Sequence, residues 1–100
     1  MDNNNDQNSE KEIKIKASDE ALAGKYANVA QVSHNKEEFV MDFMSVFPPS
    51  GSLNSRVIMS PGHFKRTVKA MQENLQKYES NFGTIEESDG EDRVHGFPIK

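Results

Sequence analysis

The sequence predicts an α+β fold, in which a small antiparallel sheet of three to four strands packs against one long C-terminal helix in the order β-β-β-β-α. Two observations predict it. Before residue 60, short segments of alternating or β-branched apolar residues are separated by polar or proline-containing breaks, which is typical of strands. From residue 61 to residue 82, apolar residues recur every three or four positions, which is typical of an amphipathic helix.

The first predicted elements are short. In residues 13–17, isoleucine and alanine alternate with lysine, which favours an edge strand with one apolar face. Ser18 is a suitable N-cap for a single helical turn that Gly24 would end. Residues 26–33 are small and β-branched, and they are predicted to form the second strand.

The strongest strand pattern lies in residues 38–47, which are apolar on both faces. Pro48 and Pro49 end this strand because proline has no N–H to donate to a neighbouring strand. Residues 50–53 are predicted to be a loop, and residues 54–59 the last strand. A strand with two apolar faces needs a cover on each. In so small a domain the second cover could be another subunit, and the candidate interface residues are Val40, Met44 and Val46.

The helix is the clearest local prediction. Ser60 is a good N-cap, Pro61 suits the first helical position and Gly83 suits the C-terminal cap. We call its apolar residues the apolar stripe: Phe64, Val68, Met71, Leu75, Tyr78 and Phe82. The stripe is expected to lie across the sheet face that carries Phe39, Met41, Phe43 and Phe47. Its narrow, regular spacing also suits a helix–helix contact in a dimer.

Charge and hydropathy define the predicted boundaries. Hydrophobic residues make up 34% of the chain and the mean hydropathy is −0.80, so part of the chain is expected to lie outside any core. The net charge of −4 arises at the two ends, which are rich in acids. We predict a disordered tail at residues 1–11, a single domain at residues 12–83 and a disordered acidic tail at residues 84–100.

Composition also restricts the function. The chain has no cysteine, which excludes disulfides, thiolate metal sites and cysteine nucleophiles and fits a cytoplasmic location. The polar, acidic N-terminus does not resemble a signal peptide, and no apolar run approaches the ~20 residues that a membrane span needs. No cofactor-binding or metal-binding motif is present, and we expect no enzymatic activity.

A basic cluster at the start of the helix is the candidate anion-binding or partner-binding site, although a solvated polar face is the favoured interpretation. Nucleic-acid binding is possible there but not favoured, because the predicted domain has only a small excess of basic residues. The cluster comprises Arg56, His63, Lys65, Arg66 and Lys69.

Three other features of the sequence are candidate sites with a simpler structural interpretation. Asp42, a charge within an apolar strand, is expected to pair with Arg56 on a neighbouring strand rather than to act as a pKa-tuned acid. Ser60, within SPGH, is expected to be a helix cap rather than a nucleophile. His34, His63 and His95 are expected to be ordinary surface histidines, because none stands at metal-ligand spacing.

Two segments carry a family resemblance: GKYANVAQVSHNKEEFVMDFMSVFPP and SRVIMSPGHFKRTVKAMQENLQKYESNFG. They resemble the bacterial and archaeal family called domain of unknown function 3467. This resemblance implies a strand-strand-strand-helix unit and implies no activity or catalytic residue. The combination of a sheet with a long helix is also faintly similar, by architecture alone, to subunits of the SecB export chaperone.

Together these features favour a non-catalytic binding or scaffold module that forms a homodimer or higher homo-oligomer. The alternatives are a SecB-like chaperone that binds extended peptides and weak binding of nucleic acid or another anion by the basic cluster.

Overall fold

The computed structural model describes residues 12–87 and 98–99 of the chain. The three strands form one antiparallel sheet in the order β1-β2-β3, and a long helix follows them. The predicted α+β class is therefore confirmed. In chain order, the elements within these residues are α1 (Asp19–Ala23), β1 (Val29–His34), β2 (Phe39–Phe47), β3 (Ser50–Met59) and α2 (Pro61–Phe82).

The sheet has three strands, which is within the predicted range of three to four. Residues 12–17 have no regular structure, and Ile13 and Ile15 are 79% and 83% exposed. The edge strand predicted at residues 13–17 is therefore wrong. An alternating pattern forms a strand only where a neighbouring backbone completes its hydrogen bonds, and here β1 is hydrogen-bonded to β2 alone among the strands.

β3 is longer than predicted because the connection from β2 is only Pro48 and Pro49, which are joined by a cis peptide bond. Ser50 lies opposite Phe47, and Gly51 opposite Val46, so the segment predicted as a loop is paired. Serine and glycine have low strand propensity, but pairing with the apolar β2 overrides it.

The short helix α1 forms as predicted. The Ser18 hydroxyl accepts a hydrogen bond from the Ala21 amide at 3.0 Å, and Gly24 ends the helix with a positive φ of 79°. That backbone conformation is strained for any residue with a Cβ atom, which explains the glycine.

The segment that joins α1 to β1 crosses one face of the sheet. The carbonyl oxygen of Tyr26 accepts hydrogen bonds from the side chains of Ser45 and Asn54. The segment forms a cleft with Phe43 and Ser55, which belong to the same face. Part of the sheet face that was expected to receive the long helix is therefore already occupied.

The long helix α2 has the predicted limits. The Ser60 hydroxyl accepts from the His63 amide at 3.2 Å, and Pro61 stands in the first turn, where its missing N–H costs nothing. At the other end, the Gly83 amide donates to the Glu79 carbonyl at 2.9 Å. Both predicted caps are confirmed. No helix within the described residues is both long and apolar enough to cross a bilayer.

The helix contacts the sheet mainly at its start. The ring of Phe64 stacks parallel to that of Phe39, with centroids 4.0 Å apart, and Val68 is half-buried. Later in the helix, Met71 is 50% exposed and Phe82 is 74% exposed. The expectation that the whole stripe lies across the sheet is therefore wrong. The segment before β1 lies over the part of that face around Phe43 and Ser45, and α2 contacts the face at its Phe39 end.

Candidate functional site

The apolar stripe of α2 is about half or more exposed to solvent over its C-terminal part. Met71, Leu75 and Tyr78 are 50%, 48% and 50% exposed. The rings of Tyr78 and Phe82 lie 5.0 Å apart at an angle of 48°, so the C-terminal half of the stripe presents paired aromatic rings to solvent. Contiguous exposed apolar surface of this kind marks interaction sites in folded proteins.

A second feature is an ion pair on the opposite face of the sheet from Phe39. Asp42 is 3% exposed, and its two carboxylate oxygens accept hydrogen bonds from Nε and Nη2 of Arg56 at 2.7 and 3.0 Å. The two residues lie directly opposite each other on β2 and β3. The predicted cross-strand pair is confirmed, and its bidentate geometry satisfies the buried charge.

Pairing with Arg56 lowers the pKa of Asp42 below its ordinary value of 3.8, although burial of the carboxyl group acts in the opposite direction. The same hydrogen bonds raise the pKa of Arg56. Asp42 is therefore held as a carboxylate at neutral pH by its partner. It serves as a structural charge that fixes the register of two strands.

We expect Arg56→Gln to raise the pKa of Asp42, because the buried carboxylate would lose both hydrogen bonds and the neighbouring charge. In the native protein the folded-state pKa lies below the unfolded value, so the ion pair stabilises the fold above that unfolded value. This stability is lost as the pH falls through the folded-state pKa. Carboxyl NMR titration and denaturant unfolding from about pH 5 to about pH 2 measure both effects.

Arg56→Lys provides the matched control, since it keeps the charge and loses the bidentate geometry. We expect a pKa for Asp42 between those of the native protein and Arg56→Gln. An Asp42 pKa that is unchanged in both variants would contradict the role of the pair.

The structure separates the residues of the basic cluster. Arg56 binds Asp42 on one face of the sheet, whereas Phe64 places the start of α2 against the other face. The other four members, all from α2, are exposed: His63, Lys65, Arg66 and Lys69. Arg56 is therefore committed to a carboxylate of its own chain, and the prediction of an anion-binding cluster now rests on the helix residues.

Two of the three candidate interface residues of β2, Met44 and Val46, line a groove of about 540 Å³ at the β2–β3 turn, whereas Val40 lies towards the other end of the strand. Met44 is only 4% exposed and offers little surface to a partner, whereas Val40 and Val46 are half-buried. The groove is lined by Met44, Val46, Leu53 and the turn residues, and by Pro98 and Ile99.

Sequence reasoning missed Leu53 and the contact of Pro98 and Ile99 with this groove. The sequence predicts a loop at Leu53 and a tail at residues 98 and 99. The only signal for the contact was a short apolar group, residues 97–99, after an acidic run. The disorder predicted for residues 1–11, and that for residues 88–97 and 100, lie outside the described residues.

Ser60 and the described histidines, His34 and His63, each have a contact within the fold. The hydroxyl of Ser60 caps α2, as expected, and the ring of His34 lies 5.2 Å from that of Phe39. His63 lies in the first turn of α2, where its carbonyl accepts from the Thr67 hydroxyl at 2.9 Å. His95 lies outside the described residues. Within residues 12–87 and 98–99, no three metal-ligating side chains are grouped for a metal ion.

These features define a class of small α+β module: a three-stranded antiparallel sheet with a long, incompletely covered C-terminal helix. The chain belongs to the family described as "Protein of unknown function (DUF3467)", whose model matches residues 1–87. No curated protein and no solved structure has a significant match to the chain.

The family match confirms the resemblance drawn from the strand and helix segments. It also extends to residue 1 and so includes the Asn/Asp-rich N-terminus, which that resemblance had left out. The faint architectural similarity to SecB has no support in these comparisons.

Proposed function

We propose that this protein is a non-catalytic binding or scaffold module that self-associates through the apolar stripe of α2. The observation that carries the proposal is the exposure of the stripe: from Met71 to Phe82 its side chains are 48–74% exposed. A helix that is amphipathic over its whole length and covered only at its start leaves apolar surface that association would remove from water.

The free energy of burying apolar side chains favours a second protein surface over the exposed part of the stripe. Complete burial of a large apolar side chain contributes about 1.5–3 kcal/mol, so burial of the exposed half of each contributes about 1 kcal/mol. The buried hydrophobic side chains among the described residues are Met41 and Met44. A chain with so small a core gains a large share of its stability from any surface that covers the stripe.

The assignment as non-catalytic rests on how the reactive side chains are used. Ser60 caps a helix and Asp42 is neutralised by Arg56. Both are occupied by structural partners, which leaves neither positioned as a nucleophile or as a proton donor at neutral pH.

Sedimentation velocity over a concentration series from about 1 to 100 μM tests self-association. We expect a dissociation constant in the micromolar range, so that the weight-average mass rises from near one chain towards at least two within this range. A mass of one chain at every concentration would overturn the proposal.

A second candidate function is binding of extended peptides, and the groove beside Met44 and Leu53 favours it. This groove is apolar, and the chain's own Pro98 and Ile99 lie against it, so it accommodates a proline–aliphatic segment. If the chain sediments as a monomer but a fluorescent peptide of that pattern binds saturably, this second function is supported and self-association is not.

A further inference from the structure

We propose that a second copy of this chain covers the apolar stripe by packing its own α2 against it in the antiparallel direction. Met71 of one copy then lies against Leu75 of the other, Val68 against Tyr78, and Phe64 against Phe82. This inference rests on the proposed self-association and specifies its surface, its direction and its contacts.

The spacing of the stripe makes antiparallel pairing self-complementary. Its residues follow one another at intervals of four, three, four, three and four, which read the same in both directions. Reversing one helix therefore maps every stripe residue of that copy onto a stripe residue of the other. Such a seam has the a/d spacing of a two-helix coiled coil over about three heptads.

The antiparallel arrangement also covers the most exposed residue of the stripe, Phe82. Phe82 is 74% exposed, at the end of α2 away from the sheet. In the antiparallel pair it lies beside the other copy's Phe64, which is already stacked on Phe39 at 4.0 Å. A parallel pair would instead place both Phe82 rings together, remote from either sheet.

Charges beside the stripe favour the same direction. Polar residues lie along both sides of the stripe. One flank consists of Lys65, Gln72 and Glu79, and the other consists of Thr67, Asn74 and Asn81. Antiparallel helices bring like flanks together, so that Lys65 of each copy meets Glu79 of the other. In a parallel pair, unlike flanks meet and this ion pair is absent.

The surroundings of Glu79 permit this contact. Its Oε2 accepts a hydrogen bond from the Ile85 amide at 3.0 Å, and a carboxylate has further lone pairs for a second donor. Lys65 is exposed, at the N-terminal end of the helix. On the uncharged flank, Asn74 lies next to its own equivalent, close to the two-fold axis.

Disulfide trapping tests the direction directly, since the natural chain has no cysteine. We expect Asn74→Cys to form a covalent dimer with itself under mild oxidation. Thr67→Cys and Asn81→Cys should each remain largely monomeric alone and form a covalent dimer when mixed. If the native chain dimerises in sedimentation and neither combination crosslinks, the antiparallel arrangement is wrong while self-association stands.

Charge reversal provides an independent test of the ion pair. We expect Lys65→Glu and Glu79→Lys each to weaken dimerisation on the order of tenfold, and the double variant to restore it to within about threefold of the native value. Lys69→Glu makes the same change of charge on the solvent side of the helix and should have little effect. Equal weakening by Lys65→Glu and Lys69→Glu, or no recovery in the double variant, would overturn the Lys65–Glu79 contact.

Discussion

Replacing Leu75 with aspartate is expected to leave the protein folded but monomeric at concentrations where the native chain is a dimer. Leu75 lies near the middle of the stripe and is 48% exposed in a single chain, so the substitution costs the fold itself little. In the dimer it would place two carboxylates in an apolar contact. Loss of two half-buried leucines and burial of charge should weaken dimerisation by at least about 3 kcal/mol, or more than a hundredfold.

Sedimentation and circular dichroism measure this result together. The matched control is Gln76→Asp, which introduces the same side chain at the next position, where it points away from the stripe. We expect Gln76→Asp to retain the native dimerisation and Leu75→Asp to retain the native helix content. Dimerisation of Leu75→Asp with native affinity would show that the stripe is not the interface.

Met44→Ala is expected to produce the second large effect, a loss of about 2–4 kcal/mol in the free energy of unfolding. Met44 is 4% exposed on the central strand, and it is one of the two buried hydrophobic residues of the described chain. Because domains of this size have little stability to spare, such a loss should leave a substantial fraction unfolded at ordinary temperatures.

Urea denaturation at two protein concentrations separates this effect from an interface effect. The control is Met71→Ala, which removes the same atoms from a side chain that is 50% exposed. We expect the loss for Met44→Ala to be similar at both concentrations, and the loss for Met71→Ala to grow where the dimer is populated. Equal, concentration-independent losses in the two variants would contradict both the core and the interface assignments.

Local chemistry made α2 predictable from the sequence. Ser60 and Gly83 satisfy the unpaired backbone groups at the ends of the helix, and these caps need only residues that are adjacent in the chain. The same holds for the single turn of α1. The pairing of Asp42 with Arg56 was predictable for a related reason, because a charge in an apolar strand requires a partner and a neighbouring strand offered one.

The absence of a strand at residues 13–17 could not be predicted from local sequence. Residues 13–17 have the correct alternation, but a strand is stabilised by hydrogen bonds to another strand. The sheet ends at β1 instead, and Ile13 and Ile15 remain exposed. Residues 50–53 show the converse case. They have weak strand propensity, yet they form a strand because β2 lies beside them.

The amino-acid sequence by itself determined the long helix, its caps, its apolar stripe and the three main strands, because each depends on interactions between near neighbours or on the periodicity of a single segment. Only the tertiary structure decided that the segment before β1 lies over part of the sheet face predicted to receive the helix, and that residues 98 and 99 lie against the β2–β3 groove. Competition between distant segments for one apolar surface depends on their positions in space. The segment before β1 and the helix compete in this way for the part of the face around Ser45, and most of the stripe remains exposed.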